Sequence, residues 1–266
     1  MKESQLLQAY FNRLQIPVAD PSFELLKSLQ KKHLENFSFN NIDVLLNTPL
    51  SLNIEDIVKK IAIENRGGYC FEHNKLMYEV LNFLGFNVRI LVARVLNNQP
   101  IDSPRTHRIT LLGWEGKNYI VDVGFTAYSP TEPVLIDPND DANERYKITQ
   151  KDDNYLLELK TEKGLFSLYE FNLESYTESD CVMGNFYSEH HPKAVFKNNF
   201  VISLLLPNIT LSLRNNSYHR ISKEHTKVVE IKNSIQLYYI IKNDFRIPIR
   251  QEEALQLFLF IEGLEN

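Results

Sequence analysis

Cysteine is nearly absent from this sequence: 266 residues contain two, Cys70 and Cys181. Two thiols cannot form the crosslinked framework of a small secreted domain, so both are expected to be reduced. A long apolar run is missing as well. The opening stretch MKESQLLQAYFNRL mixes charges into an amphipathic pattern with no small-residue cleavage site, and no later stretch could span a bilayer. A cytoplasmic location is therefore expected. Neither charge sign dominates: 29 basic against 34 acidic side chains give a formal charge of −5. That balance argues against a chain-wide nucleic-acid surface and leaves any anionic ligand to a local group of cations. The glycine-rich dinucleotide fingerprint, the phosphate-binding P-loop and fixed-period repeats are all missing. What remains is an ordinary globular composition, 43% hydrophobic and 24% charged. The chain is long enough for two or three closely packed sub-domains.

The first third has helical spacing. Leu6, Leu7, Tyr10, Phe11 and Leu14 form one stripe. Asp20 followed by Pro21 predicts a cap opening a second stripe through Leu25, Leu26 and Leu29. Asn53 caps a third, through Ile54, Ile57, Val58 and Ile61, which ends at Arg66, Gly67 and Gly68. From Cys70 the stripe Asn74, Met77, Tyr78, Leu81 and Leu84 runs to Gly85, which puts Cys70 at a helix N-terminus. After Gly85 the texture is that of strands: Val88 to Leu96, His107 to Trp114, Asn118 to Val123, Tyr155 to Lys160 and Leu165 to Phe171. A short helix is expected near Asp180 to Glu189, more strands between Phe200 and Ile241, and a last helix holding Ala254, Leu257, Phe258 and Ile261.

Chemistry concentrates in Arg66-Gly67-Gly68-Tyr69-Cys70-Phe71-Glu72, where a thiol follows two glycines at a helix start. The positive end of a helix dipole, with an imidazolium partner, lowers a thiol pKa towards neutrality. Glycines let the backbone approach a substrate and offer N–H groups to an oxyanion. This segment alone fits a buried structural cysteine equally well. The hairpin downstream favours the nucleophile. If Glu115-Gly116 is a two-residue loop, Trp114 pairs with Lys117 and Asp122 lies opposite Ile109. Asp122 is then a diagonal neighbour of His107, at a Cα distance on the order of 7–8 Å. Cys70, His107 and Asp122 could so form a catalytic triad. A register shifted by one residue would place the last two on opposite faces. His73, three residues after Cys70, is the competing base, expected as a surface or supporting residue. His33, His190, His191, His219 and His225 read as solvated or core polar groups. Cys181, His190 and His191 match no zinc spacing, so no metal site is expected, and Cys181 reads as a small buried hydrophobe.

Three segments, RGGYCFEHN at 66–74, THRITLL at 106–112 and NYIVDVGF at 118–125, resemble in order and spacing the signature segments of the arylamine N-acetyltransferases. Phe37-Ser38-Phe39-Asn40-Asn41 stands where that family usually has a proline-phenylalanine-glutamate-asparagine run, and NFYSEHHPKAVF at 185–196 is similar to its tract before the third domain. The resemblance covers nearly the whole chain. It implies an α+β fold with a cysteine-protease-like core: an N-terminal helical bundle over 1–86 with Cys70, a central β-barrel over 87–184 with His107 and Asp122, and a C-terminal α/β lid over 185–266. It implies ping-pong transfer of an acetyl group from acetyl-CoA to Cys70 and on to an arylamine, arylhydrazine or arylhydroxylamine. His107 would be the base and Asp122 its orienting carboxylate. Coenzyme A would be a co-substrate, with no tightly bound cofactor, nucleic acid or membrane involved, and the protein would be a monomer or weak homodimer. Phe125 would lie against the acceptor ring, and Tyr69, beside the nucleophile, would also bind substrate. Ser103 and Phe196 would line the coenzyme A site, with Lys193 and Lys197 as phosphate partners by charge. The chain departs from the family at Thr126 and Ala127, where relatives commonly have glycines, and at Phe39-Asn40.

Rival readings share the triad. One is an amide synthase of the same fold that takes its acyl chain from a carrier protein. Another is a papain- or transglutaminase-like hydrolase, although the papain-type segment around the cysteine is missing. A third is a binding module that keeps the cleft without chemistry, against which the intact triad argues.

Overall fold

Leu7, Tyr10, Phe11 and Leu14 are all buried on α1 (Lys2–Leu14), as their spacing predicts, in a computed structural model that describes residues 2–99 and 102–265. Helix α2 (Phe23–Asn36) starts two residues later than expected. Its cap is Ser22, whose hydroxyl accepts a hydrogen bond from the Leu25 amide at 3.2 Å, so Asp20 and Pro21 belong to the lead-in. β1 (Phe39–Asn40) and α3 (Ile42–Leu45) follow. α4 (Ile54–Val58), with Asn53 at its cap position, then continues into a π-helical turn, Lys59–Ile63. Helix α5 (Cys70–Phe83) begins at the thiol and ends beside Gly85, whose φ of +86° is the left-handed conformation a helix terminator adopts.

The central part is one antiparallel sheet of β2 (Asn87–Val95), β3 (Arg105–Trp114), β4 (Lys117–Val121), β5 (Val134–Leu135), β6 (Tyr146–Lys151), β7 (Asn154–Thr161) and β8 (Gly164–Phe171). The strands run β5-β4-β3-β2-β8-β7-β6 and curl into a nearly closed barrel. Its interior holds Leu91, Ile109, Phe125, Leu157, Tyr169 and Phe171. The hairpin between β3 and β4 has the register deduced from its loop, with Trp114 opposite Lys117 and Thr110 opposite Val121. Glu115 and Gly116 both take positive φ, 48° and 75°, the signature of the tight primed turn that a two-residue hairpin loop needs.

Two helices, α6 (Glu178–His190) and α7 (Val195–Asn198), lead to β9 (Val201–Leu206), β10 (Ile209–Arg214), β11 (Ser217–Ser222) and β12 (Thr226–Glu230). These strands form a second antiparallel sheet that β1 joins through Phe39–Ser203 and Asn40–Ile202 pairs. The N-terminal segment is thereby stitched to the C-terminal layer. Residues expected as a last strand instead form α8 (Ser234–Tyr239), because the Asn233 side chain accepts from the Gln236 amide at 2.8 Å and caps it. Leu237 and the following Ile241, one turn apart, bury their side chains against α9 (Gln251–Glu265). Among the described residues no helix is long and apolar enough to cross a membrane. Cys70 lies in a small separate apolar cluster with Phe39, Tyr69, Phe71, Ile90, Val92 and Cys181.

Candidate active site

The turn before α5 depends on close backbone approach. Gly67 has a φ of +70°, and a Cβ there would overlap the Ser38 carbonyl oxygen. The Asn40 amide in turn donates to the Gly68 carbonyl at 2.6 Å, fixing the turn against β1. Glu72 then caps the helix from within, accepting from the Tyr69 amide at 3.0 Å while its other oxygen takes Lys60 Nζ at 2.7 Å. Beside this cap lies a charged cavity of about 480 Å3, lined by Asp43, Lys60, Arg66, Glu72 and Glu253 among others and not by Cys70.

Cys70 is only 2% exposed, and its thiol donates to the Thr106 carbonyl at 3.6 Å. The sequence leads one to expect a depressed thiol pKa; the structure reverses that. Burial, then the charge of Asp122, pushes the thiol up, and the amides of Phe71 and Cys70 offset this only in part.

The candidate base is on β3. His107 Nε2–H donates to Asp122 Oδ2 at 2.7 Å, with both side chains essentially out of solvent at 2% and 0%. Nδ1 is thereby left free to accept a proton. Burial would raise the Asp122 carboxyl, but His107, Asn74 and the Gly124 amide together hold it below the usual carboxylate range. Its Oδ1 takes Asn74 Nδ2 at 2.8 Å and the Gly124 amide at 2.9 Å. Asn74 also donates to the Arg108 carbonyl at 2.6 Å and accepts from the Val123 amide at 2.9 Å. One side chain, a turn below the thiol on α5, thus ties the helix to the strand that carries His107 and to the segment after β4 that carries Asp122. Sequence reasoning treated Asn74 only as a stripe residue and as the last letter of the RGGYCFEHN segment.

Tyr169 on β8 was also missed. Its ring lies 5.1 Å from that of His107 and 5.0 Å from that of Phe125. Its hydroxyl is buried without a hydrogen bond of ordinary geometry, and burial, then the Asp122 charge, raises its pKa well above the usual value. Only strand pairing across the barrel brings it here, which no local signal records.

Phe125 packs edge-on against His107 at 4.9 Å and takes Ser129 Oγ on its amide at 2.7 Å. Thr126 then adopts a φ of +54°, the conformation for which glycine is suited, so the departure from the family pattern retains a glycine-like backbone with a β-branched side chain. Tyr69 and Phe196 meet edge-on at 5.6 Å, Phe196 also contacts Phe39 at 5.8 Å, and the Tyr69 hydroxyl bonds Asn185 Oδ1. Ser103 donates its hydroxyl to the Val95 carbonyl at 2.9 Å. Lys193 is exposed, and Lys197 donates to Asn47 Oδ1 at 3.0 Å.

His73 is neither a surface group nor within reach as a base. It is buried, and its Nε2–H must donate to the Ser38 carbonyl at 3.2 Å, so its Nδ1 accepts from His33 Nε2 at 2.7 Å and His33 Nδ1 from the Tyr10 hydroxyl at 3.0 Å. Burial pushes His73 down to about 4 and His33 well below its ordinary value, so both stay neutral with every nitrogen engaged. Cys181 is a buried thiol in the cluster beside Cys70. Among the described residues no three His, Cys, Asp or Glu side chains gather to hold a metal ion.

A thiol at a helix start and an imidazole with one free nitrogen oriented by a carboxylate are suited to acyl transfer through a thioester. Comparisons with known proteins agree. A family model described as N-acetyltransferase matches residues 22–254. The arylamine N-acetyltransferase of Escherichia coli is 34% identical over 92% of this chain and 89% of its own length. The solved arylamine N-acetyltransferase of Salmonella typhimurium superposes with a TM-score of 0.90 at 31% identity, covering 96% of this chain and 98% of that one. That of Mycobacterium marinum, solved in complex with CoA, does so with a TM-score of 0.87 at 25% identity, covering 97% and 99%.

Proposed function

This chain belongs to the arylamine N-acetyltransferase family, and from that premise we propose that it moves an acetyl group from acetyl-CoA to an arylamine, arylhydrazine or arylhydroxylamine through a thioester on Cys70. The Cys70 proton passes to His107 Nδ1 as sulfur attacks the thioester carbonyl. Amides at the start of α5 receive the developing oxyanion. The tetrahedral intermediate expels the thiolate of coenzyme A, which leaves with the proton from the imidazolium. The acceptor amine then attacks the acetyl-enzyme while His107 takes its proton, and collapse returns that proton to the Cys70 sulfur. The observation that carries this reading is the 2.7 Å contact from His107 Nε2 to Asp122: an ionised carboxylate there makes Nε2 the donor and leaves Nδ1 for both proton transfers. Phe125, Tyr69 and Phe196 supply the aromatic walls for the acceptor and the pantetheine arm, and Ser103, Lys193 and Lys197 lie towards the nucleotide end of coenzyme A. Reduced cysteines and an acetyl-CoA donor fit a cytoplasmic enzyme.

A ping-pong route predicts parallel lines when initial rates at several fixed arylamine concentrations are plotted reciprocally against acetyl-CoA. Lines that intersect would require both substrates on the enzyme together and would count against the acetyl-enzyme.

A further inference from the structure

Arg108 sits next to His107 on β3, is fully buried, and presents a guanidinium to the N-terminus of α6. There Glu178 accepts from both terminal nitrogens, at 2.9 Å each. The same carboxylate takes Lys75 Nζ at 2.9 Å, and Lys75 follows Asn74 on α5. The Arg108 guanidinium also lies 5.3 Å from the ring of Tyr78, again on α5. Its Nε has no partner, so Glu178 supplies the acceptors for this buried charge. One carboxylate at the start of α6 therefore pairs with the helix that carries Cys70 and with the strand that carries His107, on the side of β3 away from Asp122. The two elements are also joined by Asn74, which donates to the Arg108 carbonyl itself, and by the Cys70 thiol on the Thr106 carbonyl. Helix α6 is pressed onto the same pair further along: a Cβ at Gly184 would lie 2.7 Å from the Phe71 ring and 3.0 Å from the Arg105 carbonyl oxygen.

We propose that Glu178 is a positioning residue for acyl transfer: by pairing with Lys75 and Arg108 it sets the separation between the Cys70 thiol and the His107 imidazole. This rests on Cys70 as the acylated residue. Without the carboxylate, Arg108 is a buried charge seeking water, and its excursion carries the adjoining backbone of His107 with it. Acylation depends on a proton transfer within hydrogen-bond reach, and displacements near 1 Å can cost about a hundredfold in rate.

The test is the single-turnover rate of Cys70 acetylation by acetyl-CoA, followed by intact mass across pH for the full chain, Glu178→Gln, and the double variant Arg108→Met with Glu178→Gln. Glu178→Gln is expected to slow acetylation roughly ten- to a hundredfold, with the half-saturating acetyl-CoA concentration within about twofold, and to shift the pH at which the rate is half-maximal. The double variant removes the buried charge together with its partner. It should recover thermal stability but stay slow, since the tether is still lost. A Glu178→Gln protein that melts early yet acetylates at the native rate with the native pH profile would overturn the proposal, as would a double variant in which rate returns along with stability. Absence of any adduct on the native chain would instead count against the acetyl-enzyme itself.

Discussion

Asp122→Asn is expected to lower kcat by about 10⁴-fold, the scale of the same replacement in a Ser-His-Asp triad, with little change in melting temperature. The reason lies in the donors already facing this side chain. Asn74 Nδ2 and the Gly124 amide both point at Oδ1, so an asparagine must keep its oxygen there and turn its NH2 towards His107. Nε2 of the imidazole then has to accept, and the ring proton moves to Nδ1, the nitrogen that must take the thiol proton. The fold is preserved and the tautomer is wrong. Steady-state kinetics beside a melting curve read both quantities, and a variant retaining a tenth or more of native kcat would remove the orienting role from Asp122.

Gly124→Ala is expected to cost about a hundredfold in kcat/KM and about 1–3 kcal/mol in stability. A Cβ at Gly124 would lie 2.9 Å from Cys70 Cα and 2.7 Å from Asn74 Nδ2. The first contact is backbone at the start of α5 and cannot turn aside. The loop carrying Asp122 would have to back away from the helix carrying the thiol, stretching the bonds that Asn74 makes to Asp122, Arg108 and Val123. Two residues on, Thr126 occupies a positive-φ position where relatives commonly have glycine, so positive φ is tolerated there, whereas at Gly124 the constraint is space. Kinetics and urea unfolding of the variant test both figures; native activity would mean that the loop and α5 are not held at that distance.

Features set by neighbours in the chain were legible from sequence. The pairing of β3 with β4 followed from a two-residue loop, and with it the side-chain contact of His107 and Asp122, because hairpin register is a local property. The same holds for the start of α5 at Cys70 and its end beside Gly85. Features set across the fold were not. Phe39 and Asn40 pair with residues more than 150 positions away on β9, and Tyr169 reaches His107 only because β8 closes onto β2. His73 shares the helix of Cys70 but faces α2 and the Ser38 carbonyl, a direction fixed by how the helices dock. The helix N-terminus beside the thiol is visible in sequence, whereas the burial that pushes its pKa up depends on packing. Residues 234–241 carry β-branched and aromatic side chains, yet an asparagine cap and tertiary packing make them helical.

The most direct measurement is the intact mass of the purified protein after exposure to acetyl-CoA without acceptor, compared with Cys70→Ser, followed by addition of an aromatic amine. One acetyl group on the native chain, none on the variant, and its loss when the amine is added is the predicted result. An unchanged native mass, or an adduct that survives in Cys70→Ser, would contradict a thioester at Cys70 and with it the route drawn through His107 and Asp122.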